Sequence, residues 1–281
     1  VTNELGAAFP DAKVYGIDLT PVPALRPKLE NIEYIEGNVF ELTSPGVDTR
    51  IEKGSFDYVF SRFLMAGMTE WERYVKLCAA LTKPGVSHLH PPPSPTDDRS
   101  RPQQLTRRKG WVEMQEPDIS VRLSPPVSGN AYDLYLHTLS LSELEAEKLP
   151  RDECDPEPWR ATLHNLFRAR GFELSIGSKL ARYFADAGLQ DVRIKRYVYP
   201  YGTWKGMTDA QRHYAPINKN FVENEMPALM RKLSIVMGTI SSEETDRLIE
   251  KSREFVERFE GNREFGWVYV VCGRKADGEQ V

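Results

Sequence analysis

Two periods of hydrophobic and polar positions alternate along this chain. Lys13–Asp18 (KVYGID) is a short apolar run ending in an acid, and it reads as a strand. Before it, Asn3 to Phe9 reads as the end of a helix already under way; after it, Thr20–Pro27 is a proline-broken turn. Ile32–Glu36 (IEYIE) alternates with period two and runs into Gly37-Asn38-Val39, and Phe56–Ser61 (FDYVFS) is a third apolar strand. Thr69–Leu81 changes period. Trp71, Tyr74, Val75, Cys78 and Leu81 share one helical face, and Lys83-Pro84-Gly85 is a helix stop. Trp111–Gln115 (WVEMQ) is the next strand.

The stretch from Ala131 to Gly188 is mostly helical by pattern. It includes amphipathic helices at Trp159–Ala169 and Ser178–Ala187, stopped by Gly171 and Gly188. Val192–Tyr199 is a strand of mixed charge, Asn220–Met237 and Ser242–Phe259 form a helical pair, and Trp267–Gly273 is the last strand. The tail, 276–281, is polar and expected to be loose. Strand alternating with helix predicts an α/β domain with a parallel sheet built from βαβ units.

Composition narrows the class. At 281 residues, 40% hydrophobic and 28% charged, the chain is long enough for one α/β domain with a substantial core. A formal net charge of −4 argues against a generic nucleic-acid binder. No apolar run approaches the roughly 20 residues of a membrane span. Cys78, Cys154 and Cys272 are widely spaced and odd in number, which suggests reduced thiols and a cytoplasmic or nuclear location.

One segment breaks the pattern. Val86–Lys109 (VSHLHPPPSPTDDRSRPQQLTRRK) holds five prolines, several charges and no apolar period, so 86–109 is expected to be a disordered insert. Removing it joins Lys83-Pro84-Gly85 to Gly110-Trp111-Val112-Glu113, a plain helix-to-strand turn. A translated intron accounts for the segment. Val-Ser can encode GTGAGT, Leu105-Thr106 can encode a CTGAC branch site, Lys109 can end in AG, and 24 residues make 72 nucleotides, a multiple of three. A surface loop is the alternative.

Three early strands end in polar residues. In an open parallel sheet, ligands bind beyond the carboxyl ends of strands. Asp18 ends the first, and its carboxylate can accept hydrogen bonds from both hydroxyls of a ribose. Asn38, with the Val39 N–H beside it, follows the second and can bond an adenine edge; Ser61 and Arg62 end the third. Taken singly, Asp18 is as readily a solvated loop acid, and Asn38 a turn residue after Gly37.

The residues carry a resemblance. KVYGIDLTP, IEYIEGNVFEL, GSFDYVFSRFLMAGMTEW and KPG with GWVEMQEPD resemble, in order and spacing, successive motifs of fungal class I S-adenosylmethionine-dependent methyltransferases. Among these are the relatives of the velvet-complex regulator of secondary metabolism. WVYVVCGRK is similar to that family's last strand. The match covers most of Phe9–Asp118 and, more weakly, Ser178–Lys275, and SRFLxxGxxxW is its most specific piece.

The resemblance implies a Rossmann-like sheet of seven strands with a reversed last strand, and S-adenosyl-L-methionine as methyl donor. It implies that Asp18 binds the ribose, that Asn38 and Val39 meet the adenine, and that Ser61, Arg62 and Phe63, with Leu64, flank the methionine end. Glu116 and Asp118, on the stretch Trp111–Asp118, would border the acceptor. On this reading 1–281 is one methyltransferase-like domain, with 129–188 and 205–262 as helical acceptor or cap regions. The family's first strand and Gly-x-Gly-x-Gly turn should precede Asn3, yet no Gly-x-Gly occurs in the chain. The chain is therefore expected to be N-terminally incomplete, with weak or no cofactor binding.

Methyl transfer to a small-molecule acceptor is the function implied, with a non-catalytic regulatory protein acting through protein partners as the alternative. An NAD-dependent enzyme shares the strand-end acid but not the SRFLxxGxxxW stretch. Methyl transfer depends on positioning more than on a base, and no catalytic base is identified. His137, His164 and His213 read as surface or satisfied histidines, and His88-x-His90 has no cysteine or acid at ligand spacing. Tyr197, Tyr199, Tyr201 and Trp204 read as sheet packing or, less simply, as a lid.

Overall fold

The computed structural model describes residues 1–21, 29–84, 110–123, 139–146, 158–238, 240–257 and 264–276. Its elements are, in order, α1 (Thr2–Ala8), β1 (Val14–Asp18), β2 (Ile32–Glu36), α2 (Val39–Leu42), β3 (Tyr58–Arg62), α3 (Trp71–Leu81), β4 (Trp111–Leu123), α4 (Leu141–Ala146), α5 (Pro158–Arg168), α6 (Ile176–Asp186), β5 (Leu189–Pro200), α7 (Asp209–Asn220), α8 (Met226–Met237), α9 (Ser242–Glu257) and β6 (Glu264–Lys275). The expected insert 86–109, His137 and the tail 277–281 lie outside the described residues.

Period-two patterning yields the strands. β1 and β2 pair in parallel, from Val14 opposite Ile32 to Asp18 opposite Glu36. A second sheet has the order β3-β4-β6-β5. β3 and β4 are parallel, with Tyr58 opposite Trp111 and Arg62 opposite Gln115. β6 runs antiparallel to both of its neighbours. The fold is α/β with the reversed last strand that the resemblance implied.

A single sheet was expected, but the described residues form two. Side chains join them where backbone bonds do not. The rings of Tyr15 and Phe56 meet edge-on with centroids 6.1 Å apart. Ile35, Ile51 and Leu81 form a small core with Tyr15, Ile17, Phe56 and Val59 packed against it.

The large core packs on the four-stranded sheet. Val112 and Met114 of β4, Tyr269 and Val271 of β6 and Ile194 of β5 are fully buried, under Leu180 and Phe184 of α6 and Val75 of α3. Each such side chain stabilises the fold by roughly 1.5–3 kcal/mol relative to exposure. α6 comes close because residue 177 is glycine: a Cβ there would sit 2.6 Å from the Glu116 carbonyl oxygen and 2.7 Å from the Tyr269 ring. The predicted face of α3 is the buried one, and the helix ends where the Thr82 hydroxyl donates to the Cys78 carbonyl at 2.7 Å.

Boundaries differ from expectation where context overrides pattern. β4 continues past Gln115 because β6 pairs with it as far as Leu123. α7 was not foreseen as a separate helix, since its sequence is polar and holds Pro216. It starts instead from a capping box: the Thr208 hydroxyl accepts from Gln211 N–H, and the Gln211 side chain accepts from Thr208 N–H. A π-helical turn, Phe221–Glu225, then links α7 to α8.

The end of α3 and the start of β4 lie close together. The backbone of Gly110 lies against Lys83: a Cβ on Gly110 would be 2.6 Å from the Lys83 carbonyl oxygen and 2.8 Å from its nitrogen. The chain thus leaves α3 and enters β4 at one point.

Candidate functional site

The parallel strands β1 and β2 end side by side, and so do β3 and its partner stretch of β4 in the second sheet. Asp18 closes β1 and is exposed, and both the backbone N–H and the hydroxyl of Thr20 donate to its Oδ1, at 3.0 and 3.1 Å. This turn fixes the carboxylate at the strand tip. Next to it, β2 leaves the sheet at Gly37, whose N–H donates to the Asp18 carbonyl at 2.8 Å. Gly37 has φ of +148°, which glycine adopts without strain.

Asn38 follows. Its Oδ1 accepts from Phe40 N–H at 2.9 Å, and its carbonyl accepts from Glu41 and Leu42. The side chain therefore caps α2 with its oxygen, which leaves its amide NH₂ as the group that can donate to a ligand. Val39 begins α2 with a half-buried side chain packed on the large core. The Gly37–Asp18 bond thus sets residue 38 next to the tip of β1.

The end of β3 divides the other expected residues. Ser61 was expected to open on the rim, but strand alternation turns it to the core side, where it is buried against the phenol of Tyr74. Burial pushes the Tyr74 phenol well above its ordinary range. Arg62 is exposed, with its guanidinium 5.6 Å from the ring centre of Phe63. Phe63 is 50% exposed and has a left-handed φ of +54°, uncommon for a bulky residue.

That turn is tied to β4. Phe63 N–H donates to the Gln115 carbonyl at 3.0 Å. Leu64 N–H donates to Glu116 Oε1 at 2.8 Å, and Met65 N–H to Glu116 Oε2 at 3.2 Å. Glu116 was expected to border an acceptor; instead it is 0% exposed and both its oxygens serve the turn. Desolvation raises its pKa to about 7, with the two amides pulling the other way. Asp118 is likewise buried, opposite Trp267 across the sheet. The sequence signal missed here is parity: Glu116 and Asp118 alternate with Gln115 and Pro117 and share the core face with Met114.

A cavity of about 470 Å³ opens beside the start of α3, between Glu70, Trp71 and Arg73, Arg168 at the end of α5, Phe172 in the α5–α6 connection, and Tyr183 of α6. Of the aromatic run, Tyr201 is buried and stacks edge-on with Tyr199, as sheet packing predicts, while Tyr197 is exposed. Among the described residues no group of three His, Cys, Asp or Glu could hold a metal ion. His88 and His90 lie outside them. No described helix is long and apolar enough to cross a membrane.

No family model and no curated protein matches the chain. Among solved structures, Haemonchus contortus phosphoethanolamine N-methyltransferase 2 in complex with S-adenosyl-L-methionine is similar at 12% identity with a TM-score of 0.36. The match covers 88% of this chain and 38% of that one. The same enzyme in complex with phosphomonomethylethanolamine and S-adenosylhomocysteine gives a TM-score of 0.35. The 4+2 cyclase SpnF is similar at 12% identity with a TM-score of 0.34, covering 89% of this chain and 58% of that chain. This chain therefore spans less than two thirds of each of these proteins. At such TM-scores the likeness carries no argument about chemistry, and the description of the fold rests on the chain's own strand order.

Proposed function

We propose that this chain is a methyltransferase-type domain whose rim at Asp18 and Asn38 receives the adenosyl part of S-adenosyl-L-methionine, for methyl transfer to a small-molecule acceptor. The observation that supports this most is the pairing of an exposed carboxylate, Asp18, with Asn38 just past the tip of the adjoining parallel strand. The residues present fit the group. Both bonds from Thr20 fall on Oδ1 of Asp18, which leaves Oδ2 to accept from ribose hydroxyls. Asn38, its oxygen engaged by Phe40, offers a donor to a ring nitrogen. Arg62 and Phe63 stand exposed at the end of β3, where the methionine end of such a ligand would be flanked.

Bound S-adenosyl-L-methionine would supply an electrophilic methyl group; the residues named here bind and orient. Because no Gly-x-Gly occurs in the sequence, backbone approach to the methionine moiety is not provided for, and affinity weaker than micromolar is expected. Calorimetric titration with S-adenosyl-L-methionine tests the reading. Weak binding that Asp18→Ala abolishes supports it, and binding indifferent to Asp18→Ala contradicts it. The second reading, a methyltransferase-like regulatory protein without turnover, is favoured by the same lack of Gly-x-Gly and by the burial of Glu116 and Asp118.

A further inference from the structure

Glu116 is unusual in its setting. It is a fully buried carboxylate whose two oxygens accept from two successive backbone amides, Leu64 and Met65. Those amides belong to the turn by which the chain leaves β3. The same turn contains Phe63 in a left-handed conformation, displayed at 50% exposure. A bulky residue holds such a φ only when its surroundings over-determine it. Here three bonds to β4 do so: Phe63 to the Gln115 carbonyl, and Leu64 and Met65 to Glu116.

A carboxylate can accept at both oxygens, whereas a carboxylic acid must place its proton on one of them. An ionised Glu116 therefore makes two charge-assisted bonds to the turn, and a protonated one makes weaker bonds with one acceptor compromised. We propose that Glu116 is a proton-operated latch on the β3 exit turn, closed when ionised and loosened when protonated. It is a positioning residue, since its side chain is buried and both its oxygens hold the turn that follows Arg62 and Phe63. The proposal stands whether or not the rim binds a nucleoside.

The switching range is supported by the surroundings. Desolvation sets the midpoint near 7. From α3, Tyr74 and Cys78 are the titratable groups on this side; burial pushes Tyr74 well up and the Cys78 thiol up to about 12. β6 presents Tyr269 opposite Glu116, and β4 itself contributes Asp118 on the same face. The exit turn from Phe63 to Met68 carries no ionisable side chain, and α6 meets Glu116 through Gly177. Asp118 is thus the acid from which Glu116 must be distinguished.

The test is a pH titration of the whole chain by nuclear magnetic resonance, following the amides of Leu64 and Met65 and the side-chain carboxyl carbon of Glu116. The expected result is that all three shift together with one midpoint, between about pH 6 and about pH 8. In Glu116→Gln the two amides should stop titrating. The proposal is overturned if the Glu116 carboxyl titrates near the ordinary glutamate range, if the amides stay flat while it titrates, or if they still titrate in Glu116→Gln. Should that variant not fold, agreement or disagreement between the wild-type carboxyl and amide midpoints decides alone.

Discussion

The amide of Gly37 donates to the carbonyl of Asp18 at 2.8 Å, so the exit of β2 is bonded to the tip of β1. That bond sets Asn38 beside Asp18 and makes one rim of two strand ends. It depends on a backbone conformation, φ of +148°, that a side chain would oppose. A Cβ at Gly37 would also press on the Leu42 side chain at 3.2 Å.

Gly37→Ala should therefore destabilise the chain by about 1–3 kcal/mol, through backbone strain at this position. Chemical denaturation of the two proteins measures it. A change no larger than that of an exposed surface substitution would show that the turn tolerates a Cβ.

Gly177→Ala should be destabilising for a different reason, contact rather than conformation. Its Cβ would fall 2.6 Å from the Glu116 carbonyl oxygen, so α6 must retreat from β4. Overpacking of this kind costs about 1–3 kcal/mol. Thermal unfolding should show the loss, and a crystal structure should show α6 displaced; an unchanged Tm would contradict the close packing described.

Stability should depend on pH through Glu116. Its folded pKa, about 7, lies above the ordinary value of 4.5, so the folded state holds this proton more tightly than the unfolded state. The contribution is fully present below about pH 4.5 and is lost as pH rises through about 7, by up to about 3 kcal/mol. Denaturation curves from about pH 5 to about pH 8 should show this fall in the wild type, and Glu116→Gln should remove it. Parallel pH profiles for the two proteins would contradict the assignment. Ionisation thus strengthens the local bonds to Leu64 and Met65 while lowering global stability, because the charge is buried.

The strands of the rim were legible because each is short, apolar and closed by a polar residue or glycine, as in KVYGID and IEYIEGN. The α3 face was legible from Trp71, Tyr74, Val75, Cys78 and Leu81, since burial there follows helical spacing alone. Side-chain direction at strand ends was harder to read. Ser61 and Glu116 look like rim residues by position but face the core, because the parity of the strand carries them there. α7 was obscured by Pro216 and its polar composition, though its Thr208–Gln211 capping box is present in the sequence. The division into two sheets is a matter of long-range pairing, which local pattern does not encode.

The adenosyl rim is tested most directly by titrating the isotopically labelled chain with S-adenosylhomocysteine and mapping amide shifts. The expected result is perturbation centred on Asp18, Thr20, Gly37 and Asn38, reaching Arg62 and Phe63, and absent in Asp18→Ala. Perturbation centred elsewhere, or none at millimolar ligand, would contradict it.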